Sequence, residues 1–345
     1  MLRNKVSVLI VLVLVLMSVS ILAEELVVYS TIFAEYAEAM KREFEKANPG
    51  VIVHVINPGG TEAMLKKLEA EKDNPQADVV HSGASLNYEY AKSKGLLEPY
   101  FPNVANFEPV ISVGENQLRL SDPEGYYHVW SMMFSGFMIN KQVLDALGLP
   151  VPKSFKDLTN PIYKGQIIAP NPLKSSTAVT VVMTVMQAYG QEEGWKLWDE
   201  IDKNIPYYSN SSSKIYSLTA KGEFAIALCL SRPVFVYKMQ GYPVDFVYPS
   251  DGSMIADNAM GIVKGAKHPE LAKKFIDFIL SDQMQKEGSK YLYTPVKKGV
   301  IDPSEPFSLE AVASTVENLI LPDSDFANEV RPIMQEKFGE YIRSK

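Results

Sequence analysis

The chain has 345 residues, a formal net charge of −7 and a pI near 5.3. Its 46% hydrophobic and 22% charged residues are typical of a soluble globular protein with room for two domains. The acidic balance argues against nucleic acid as a partner, because nucleic-acid binding favours basic surfaces. An anionic ligand would need a local cluster of donors, since the overall field is mildly repulsive to anions.

The N-terminus has the pattern of a cleaved secretory signal over residues 1–23. Arg3 and Lys5 precede an uninterrupted apolar run over residues 8–17, and Ala23 is the expected last residue removed. An uncleaved membrane anchor is the alternative, although residues 6–23 fall slightly short of the ~20 apolar residues that a membrane span needs. We therefore expect a mature protein that is periplasmic or otherwise extracytoplasmic.

Three short apolar stretches near the N-terminus each run into a loop of small residues and then into a helical pattern. Strands are predicted at residues 26–29, 51–56 and 77–80. The loops that follow them supply Ser30 and Thr31, then Gly60 and Thr61, then Ser82 and Gly83. Because open α/β sheets bind ligands at the carboxyl edge of their strands, these loops predict a site for a small anion. Thr61 is also expected to cap the helix that begins at Glu62.

A long apolar run over residues 126–140 exceeds the ~5–6 residues of an ordinary strand. It predicts a strand that crosses from one lobe to another, with Gly136 as a bend. Residues 244–249 have a similar pattern and are predicted to be the return crossing, and a further strand is predicted at residues 259–263.

A second series of strands and helices fills the middle of the chain. A strand at residues 166–170 precedes a helix start that contains Ser176 and Thr177. A serine-rich turn after Tyr208 opens another helix, and Tyr208, Ser212 and Ser213 are expected to contact the ligand. Helix starts favour an anion by roughly 0.3–1 kcal/mol each, so these residues extend the predicted anion site.

Two charged residues stand where strands are predicted to end or begin. Arg232 follows the apolar strand at residues 224–230, and a guanidinium binds phosphate, phosphonate or carboxylate through paired hydrogen bonds. Asp257 precedes the strand at residues 259–263, where its carboxylate would hold an amine or hydroxyls at the other end of a ligand. Cys229, the only cysteine, lies inside the apolar strand and is expected to be a core residue.

Motifs for catalysis are missing from the sequence. The four histidines are scattered without metal-ligand spacing, and neither a nucleophile elbow nor a Walker-type loop is found. The sequence therefore predicts a protein that is not an enzyme and needs no metal or cofactor.

Several motifs, taken in order, resemble the extracellular solute-binding proteins of ABC importers. The branch concerned contains ferric-iron-, thiamine-, aminoethylphosphonate- and sugar-phosphate-binding members. The resembling segments are residues 26–30, 57–61, 75–80, 221–226 and 261–272. Ferric binders of this branch have adjacent tyrosines where this chain has Ser231 and Arg232, which argues against direct iron binding.

The resemblance implies an α/β fold of the type II periplasmic binding protein class. Each of its two lobes is expected to be a mixed, mainly parallel sheet flanked by helices. The first lobe is predicted at residues 24–133 and 249–300, the second at 134–248, and C-terminal helices that pack on the lobes at 301–345. The expected function is capture of a small phosphorylated or phosphonate-type anion by hinge closure, followed by delivery to ABC permease membrane subunits. The protein is expected to be a monomer.

Other functions remain open at this point. The same fold would serve a receptor for ferric iron, thiamine or a polyamine. A protein of another class, an extracytoplasmic enzyme or a membrane-anchored sensor, is the remaining alternative.

Overall fold

The fold is described from a computed structural model of the chain, covering residues 24–113 and 116–345. The segment predicted to be a secretory signal, residues 1–23, lies outside the described residues. Within the two described ranges, no helix combines the length and the apolar character needed to cross a membrane.

Helices and strands alternate along most of the described chain. The strands are β1 Glu24–Ser30, β2 Val51–Ile56, β3 Val79–His81, β4 Leu97–Glu98, β5 Val110–Val113, β6 Asn116–Arg119, β7 His128–Asn140, β8 Ile167–Pro170, β9 Tyr208–Ser209, β10 Ile226–Leu230, β11 Val244–Val247, β12 Ser253–Val263, β13 Thr294–Pro295 and β14 Leu319–Ile320. The helices are α1 Ala34–Ala47, α2 Thr61–Ala70, α3 Ser85–Ser93, α4 Lys141–Leu147, α5 Ser176–Tyr189, α6 Gln191–Asp202, α7 Ser212–Ala220, α8 Ser231–Met239, α9 Pro269–Leu280, α10 Asp282–Lys290, α11 Leu309–Thr315 and α12 Ser324–Arg343.

The N-terminal region forms the parallel arrangement that the sequence predicts. Strand β1 lies between β2 and β3 and pairs in parallel with both. Helix α1 follows β1 and buries Tyr36, Met40 and Phe44, which are spaced four residues apart and so share one face of the helix. Because all three strands run in the same direction, their following loops meet at one edge of the sheet.

Two long strands carry the chain between two hydrophobic cores. Strand β7 has 13 residues: Phe134 packs in the first core and Phe137 in the second. The crossing predicted for residues 126–140 is therefore confirmed. The chain returns through β12, which pairs antiparallel with β7 and changes core between Met254 and Ile255.

The predicted return crossing at residues 244–249 is wrong. Strand β11 has only four residues, pairs with β7, and buries Val244 and Phe246 within a core of the second half. Both of these buried residues pack in the same core, so this strand stays within the second half of the molecule. The eleven-residue β12 makes the crossing instead, and the separate strand predicted at residues 259–263 is its C-terminal half.

Gly136 allows strand β11 to lie close to strand β7, and it does not form the predicted bend. A side chain there would collide with the backbone oxygen of Val247 and the ring of Phe246 on β11. Strand β7 continues through this position to Asn140. The residue is glycine because the neighbouring strand leaves no space for Cβ.

We call the two halves the first lobe and the second lobe. The first core joins residues 26–134 to 255–312, and the second joins residues 137–254 to 320–338. Helix α11 packs in the first core through Leu309 and Val312, whereas α12 packs in the second through Val330 and Phe338. One mixed sheet of order β2-β1-β3-β12-β7-β10-β8-β9 runs through both lobes. The exact domain boundaries remain a prediction.

Candidate ligand-binding cleft

The three loops that follow β1, β2 and β3 are brought together at one edge of the first lobe. Thr31 donates a hydrogen bond from Oγ1 to Oγ of Ser82 at 3.3 Å. A side chain at Gly83 would contact Thr61, so the second loop lies against the third. Ser30 is buried, with its Oγ 3.1 Å from Nδ1 of His81. We call Ser30, Thr31, Gly60, Thr61, Ser82 and Gly83 the first-lobe cluster.

Ser82 has a left-handed backbone conformation, with φ of 79°, and Gly83 follows at 99°. A non-glycine residue pays roughly 1–2 kcal/mol for this conformation. The backbone N–H of Ser82 donates to the carbonyl of Ala259 at 2.8 Å, and the hydroxyl of Tyr88 donates to the carbonyl of Ser82 at 3.0 Å. Such strain, held in place by neighbouring contacts, is characteristic of functional loops.

Thr61 does not cap helix α2 as predicted. The N-cap position belongs to Gly60, with φ of 122°, and no side chain completes the cap. Glycine brings the chain into the helix through a conformation that residues with a Cβ avoid. The Thr61 side chain lies beside Gly83 instead and belongs to the first-lobe cluster.

The crossing strands add two polar side chains that the sequence analysis missed. Nδ2 of Asn258 donates to Oγ of Ser131 at 3.0 Å, and Oγ of Ser82 donates to Oδ1 of Asn258 at 3.4 Å. Asn258 and Ser131 are paired across β12 and β7, so their side chains share one face of the sheet. The available signal was that Asn258 stands between Asp257 and the strand predicted at residues 259–263.

Asp257 faces away from Asn258, because successive side chains in a strand point to opposite faces. Its Oδ1 accepts a hydrogen bond from the backbone N–H of Ser85 at 3.0 Å, and burial raises the pKa of the carboxyl group. It lines a different groove of about 820 Å³, between α2 and α3 of the first lobe and α12. The structure thus does not bring Asp257 to the cavity described next.

Two helix starts meet in the second lobe. Ser175 caps α5 by accepting a hydrogen bond from the backbone N–H of Ala178 at 3.3 Å, and its hydroxyl also bonds to that of Ser212 at the start of α7. A cavity of about 760 Å³ lies at this junction. Among the predicted site residues, it is lined by Thr177, Ser212, Ser213 and Arg232. Ser176 is exposed at the same helix start without lining the cavity.

Arg232 is a buried cationic group of this cavity. It is the second residue of helix α8, and it is only 6% exposed. Nε donates to the carbonyl of Tyr291 at 2.8 Å, and the guanidinium lies 4.3 Å from the ring centre of Phe33 and 4.2 Å from that of Tyr293. Within residues 24–113 and 116–345, no carboxylate forms a salt bridge with it.

Arg232 therefore has no salt-bridge partner among the described residues. Burial lowers the pKa of the guanidinium, and the nearby Tyr293 and Glu35 oppose that effect. An arginine side chain nevertheless remains charged at neutral pH. A buried cation at the start of a helix favours an anion in the adjacent space.

The cavity lies between the lobes. Its first-lobe lining includes Phe33, Glu35, Met133 and Tyr291. Phe33 follows Thr31 by two residues, and Met133 follows Ser131 by two residues along β7. The first-lobe cluster does not line this cavity, although two of the residues that line it are close in the chain to Thr31 and Ser131.

Tyr208 is not part of the cleft. It is buried against the second core, where its hydroxyl donates to Oδ1 of Asp202 at 2.6 Å and accepts from Nε1 of Trp198 at 3.4 Å. Cys229 is fully buried, and burial raises the pKa of its thiol, which agrees with the predicted core role. In the part of the chain that the structure describes, no group of three His, Cys, Asp or Glu side chains is placed to hold a metal ion.

Comparisons with known proteins agree with this architecture. Residues 74–315 match the family model described as bacterial extracellular solute-binding protein. A protein of Haemophilus influenzae named only as uncharacterized is 32% identical over 66% of this chain. The match spans 64% of the length of that protein, slightly less than two thirds. A Salmonella typhimurium protein named as a candidate 2-aminoethylphosphonate-binding periplasmic protein is 23% identical over 79% of this chain and 77% of its own.

A solved structure extends the likeness to the whole fold. The periplasmic binding protein AfuA from Actinobacillus pleuropneumoniae, with fructose-6-phosphate bound, matches 93% of this chain and 99% of its own. The TM-score is 0.76 and the sequence identity 27%. The predicted fold class, a two-lobed type II periplasmic binding protein, is confirmed.

Proposed function

Because this chain belongs to the bacterial extracellular solute-binding protein family, the binding components of ABC importers, we propose that it captures a small phosphorylated or phosphonate-type anion. The observation that carries the proposal is Arg232, a nearly buried guanidinium without a salt bridge among the described residues, in a cavity between the lobes. Phosphate and phosphonate groups match the paired donors of a guanidinium.

The second-lobe donors are suited to complete the anion site. Thr177, Ser212 and Ser213 line the same cavity and lie at the starts of α5 and α7, where free N–H groups favour negative charge. Hydrogen bonds to a charged group contribute about 1.5–3 kcal/mol each. A few of them would support micromolar binding, which corresponds to about −8 kcal/mol.

Closure of the lobes would complete capture. Arg232 and the two helix starts belong to the second lobe, whereas Phe33 and Tyr291 belong to the first. The Thr31, Thr61 and Ser82 hydroxyls of the first-lobe cluster would reach the ligand as the lobes close further. The closed form would then deliver the ligand to membrane permease subunits.

The relatives support an oxyanion of phosphorus. The Salmonella protein is named for a phosphonate, and the Actinobacillus structure contains a sugar phosphate. These two ligands share a tetrahedral, negatively charged group and differ in the rest of the molecule. The proposal is therefore limited to the anionic end of the ligand.

Ferric iron is the second candidate, because Tyr237 and Tyr291 line the same cavity and phenolate oxygens suit Fe³⁺. Arg232 disfavours it, since a guanidinium cannot coordinate a metal and repels a cation. A coloured protein that keeps iron after ferric loading and dialysis would support iron. A colourless, iron-free protein supports the anion.

A thermal-shift screen of phosphonates, sugar phosphates and unphosphorylated sugars and amines tests the proposed function. A ligand at 100 times its dissociation constant should stabilise the protein by about 2.7 kcal/mol. Shifts confined to the phosphorus oxyanions are expected. A clear shift with another class, and none with these, would remove the proposal.

We also propose that residues 1–23 are removed on export and that the mature protein is a monomer. The intact mass of the protein isolated from the periplasm and its mass by light scattering test these two points separately. Retention of residues 1–23 would favour the membrane-anchored alternative.

A further inference from the structure

A short segment after helix α10, residues 291–293, has its side chains divided between the two lobes. Tyr291 packs against the first core and Tyr293 lies within it. Leu292, between them, is only 6% exposed and belongs to a further core of the second lobe. The other buried members of that core lie between residues 138 and 246. The side chain of Leu292 therefore joins a first-lobe segment to the second lobe, and it also lines the interlobe cavity.

The backbone of Leu292 is strained. Its φ is 64°, and it is the only apolar residue among the non-glycine residues of the described chain that have a positive φ. Its N–H donates to the carbonyl of Ser289 at 2.9 Å, and the N–H of Tyr293 donates to the carbonyl of Gly288 at 3.3 Å. Many helices end with this pair of bonds, but glycine usually occupies the position of Leu292, because a Cβ is unfavourable there. Burial of the leucine side chain in the second lobe supplies contacts that offset this strain.

The same turn brings two groups to Arg232. The carbonyl of Tyr291 accepts a hydrogen bond from Nε at 2.8 Å, and the ring centre of Tyr293 lies 4.2 Å from the guanidinium. Because these two residues flank Leu292, the backbone conformation of Leu292 sets the direction of both groups. Within the described ranges of the chain, Nε is the only guanidinium nitrogen with a hydrogen-bond partner. Its bond fixes the guanidinium plane and leaves the two terminal nitrogens for a ligand.

We propose that Leu292 is a positioning residue for anion binding. Its side chain anchors the turn in the second lobe, and the turn holds the guanidinium of Arg232 in the orientation that receives the anion. This inference rests on the proposed function. A guanidinium that is free to rotate must be ordered when the ligand binds, and this ordering lowers affinity. Leu292 therefore contributes to affinity through Arg232.

The Nε–H group of Arg232 gives a test that needs no ligand. In ¹H–¹⁵N NMR spectra, the Nε–H signal that disappears in Arg232→Gln identifies this group. Because it is bonded to the carbonyl of Tyr291, it should exchange slowly with solvent in the unaltered protein, and about 10-fold faster in Leu292→Ala. Leu292→Met keeps most of the buried volume and should keep the slow exchange. Equal exchange rates in the unaltered protein and Leu292→Ala would overturn the inference and leave the proposed function standing.

Calorimetry with 2-aminoethylphosphonate and fructose-6-phosphate measures the effect on affinity. Leu292→Ala should bind about 5- to 10-fold more weakly than the unaltered protein, whereas Leu292→Met should bind normally. In the Arg232→Gln background, Leu292→Ala should cause no further loss, because the two residues act through one group. Additive losses would overturn the inference. No binding of any phosphorus oxyanion by the unaltered protein would overturn the proposed function and, with it, the role of Leu292 in binding.

Leu271→Ala is the matched control, because Leu271 is a buried leucine of the first core, 4% exposed, that does not line the cavity. It should reduce the free energy of unfolding as Leu292→Ala does, with affinity and Nε–H exchange unchanged. Equal losses of affinity in the two variants would indicate a general effect of stability and overturn the inference. Leu292→Gly serves if Leu292→Ala does not fold, since glycine removes the side chain and also relieves the strain. It should show the same fast exchange and weak binding.

Discussion

The guanidinium of Arg232 lies 4.2 Å from the ring centre of Tyr293, so a cation of the second lobe packs on an aromatic side chain of the first. Tyr293 in turn packs against Trp130 with ring centres 5.0 Å apart, and Trp130 stacks on His81 at 4.6 Å. Arg232 is thus held in place by contacts that do not use its terminal N–H groups. Its terminal N–H groups are therefore not needed for this packing.

Replacement of Arg232 is the most direct test of the anion site. Arg232→Gln keeps a polar side chain but removes the charge and the paired donors, and should weaken phosphonate binding by about 100-fold, or ~2.7 kcal/mol. The measurement is calorimetry with 2-aminoethylphosphonate and phosphoethanolamine. Arg119→Gln, an exposed arginine in the groove on the other face, should leave affinity unchanged. Equal losses for both variants would contradict a local role for Arg232.

Asn258 should be important for ligand affinity, whereas Asp257 should not. Asn258→Ala removes the bridge between Ser131 and Ser82 and should lower affinity by about 10-fold, because the first-lobe cluster loses its support. Asp257→Asn should bind ligand normally, since Asp257 faces the other groove. Calorimetry on both variants checks this. A larger loss for Asp257→Asn would show that the ligand site lies on Asp257's face of the strands.

Ser82 offers a test of backbone strain that is independent of its hydroxyl. Ser82→Ala and Ser82→Gly both lose the hydroxyl, but only glycine adopts φ of 79° without cost. Ser82→Gly should therefore be more stable than Ser82→Ala by about 1 kcal/mol in urea unfolding. Both variants should bind ligand more weakly than the unaltered protein. Equal stability of the two variants would show that Ser82 is not strained.

Acid should destabilise the fold through two buried histidines. Burial lowers the pKa of His128 from 6.5 to about 4 and that of His81 to about 3. The unfolded chain therefore binds more protons below about pH 6.5, and the free energy of unfolding should fall as the pH drops from there toward 4. A few kcal/mol should be lost in total.

Urea unfolding of His128→Gln between pH 7 and pH 4.5 isolates one part of this effect. The variant should show a shallower decline than the unaltered protein. His54→Gln is the matched control, because His54 is an exposed histidine on β2. An unaltered slope in His128→Gln would indicate that other groups cause the acid sensitivity.

The strands were the most predictable part of the fold. Runs of β-branched residues located β1 and β2, and the unusual length of residues 126–140 identified β7 as a crossing strand. These features depend on local composition and on length, both of which are visible in a single sequence. The meeting of the loops after β1, β2 and β3 followed from the parallel order of the strands.

The sequence did not predict toward which face of the sheet each β12 side chain points. Side chains alternate between faces, so the register against β7 decides whether Asp257 or Asn258 faces the first-lobe cluster. That register is set by contacts between residues far apart in the chain, such as Asn258 with Ser131. The N-cap at Gly60 and the helix start at Ser231 also depended on local backbone geometry that composition does not specify.

The division of each core between distant segments has a consequence for how the protein is made. The first core needs side chains as far along the chain as Val312, and the second needs Phe338. A nascent chain that stops short of these residues leaves apolar surface uncovered in both lobes, so neither lobe reaches its final stability during synthesis. The chain would stay incompletely folded until helix α12 has been synthesised. Cleavage at any single position would not give two fragments that each contain a whole core.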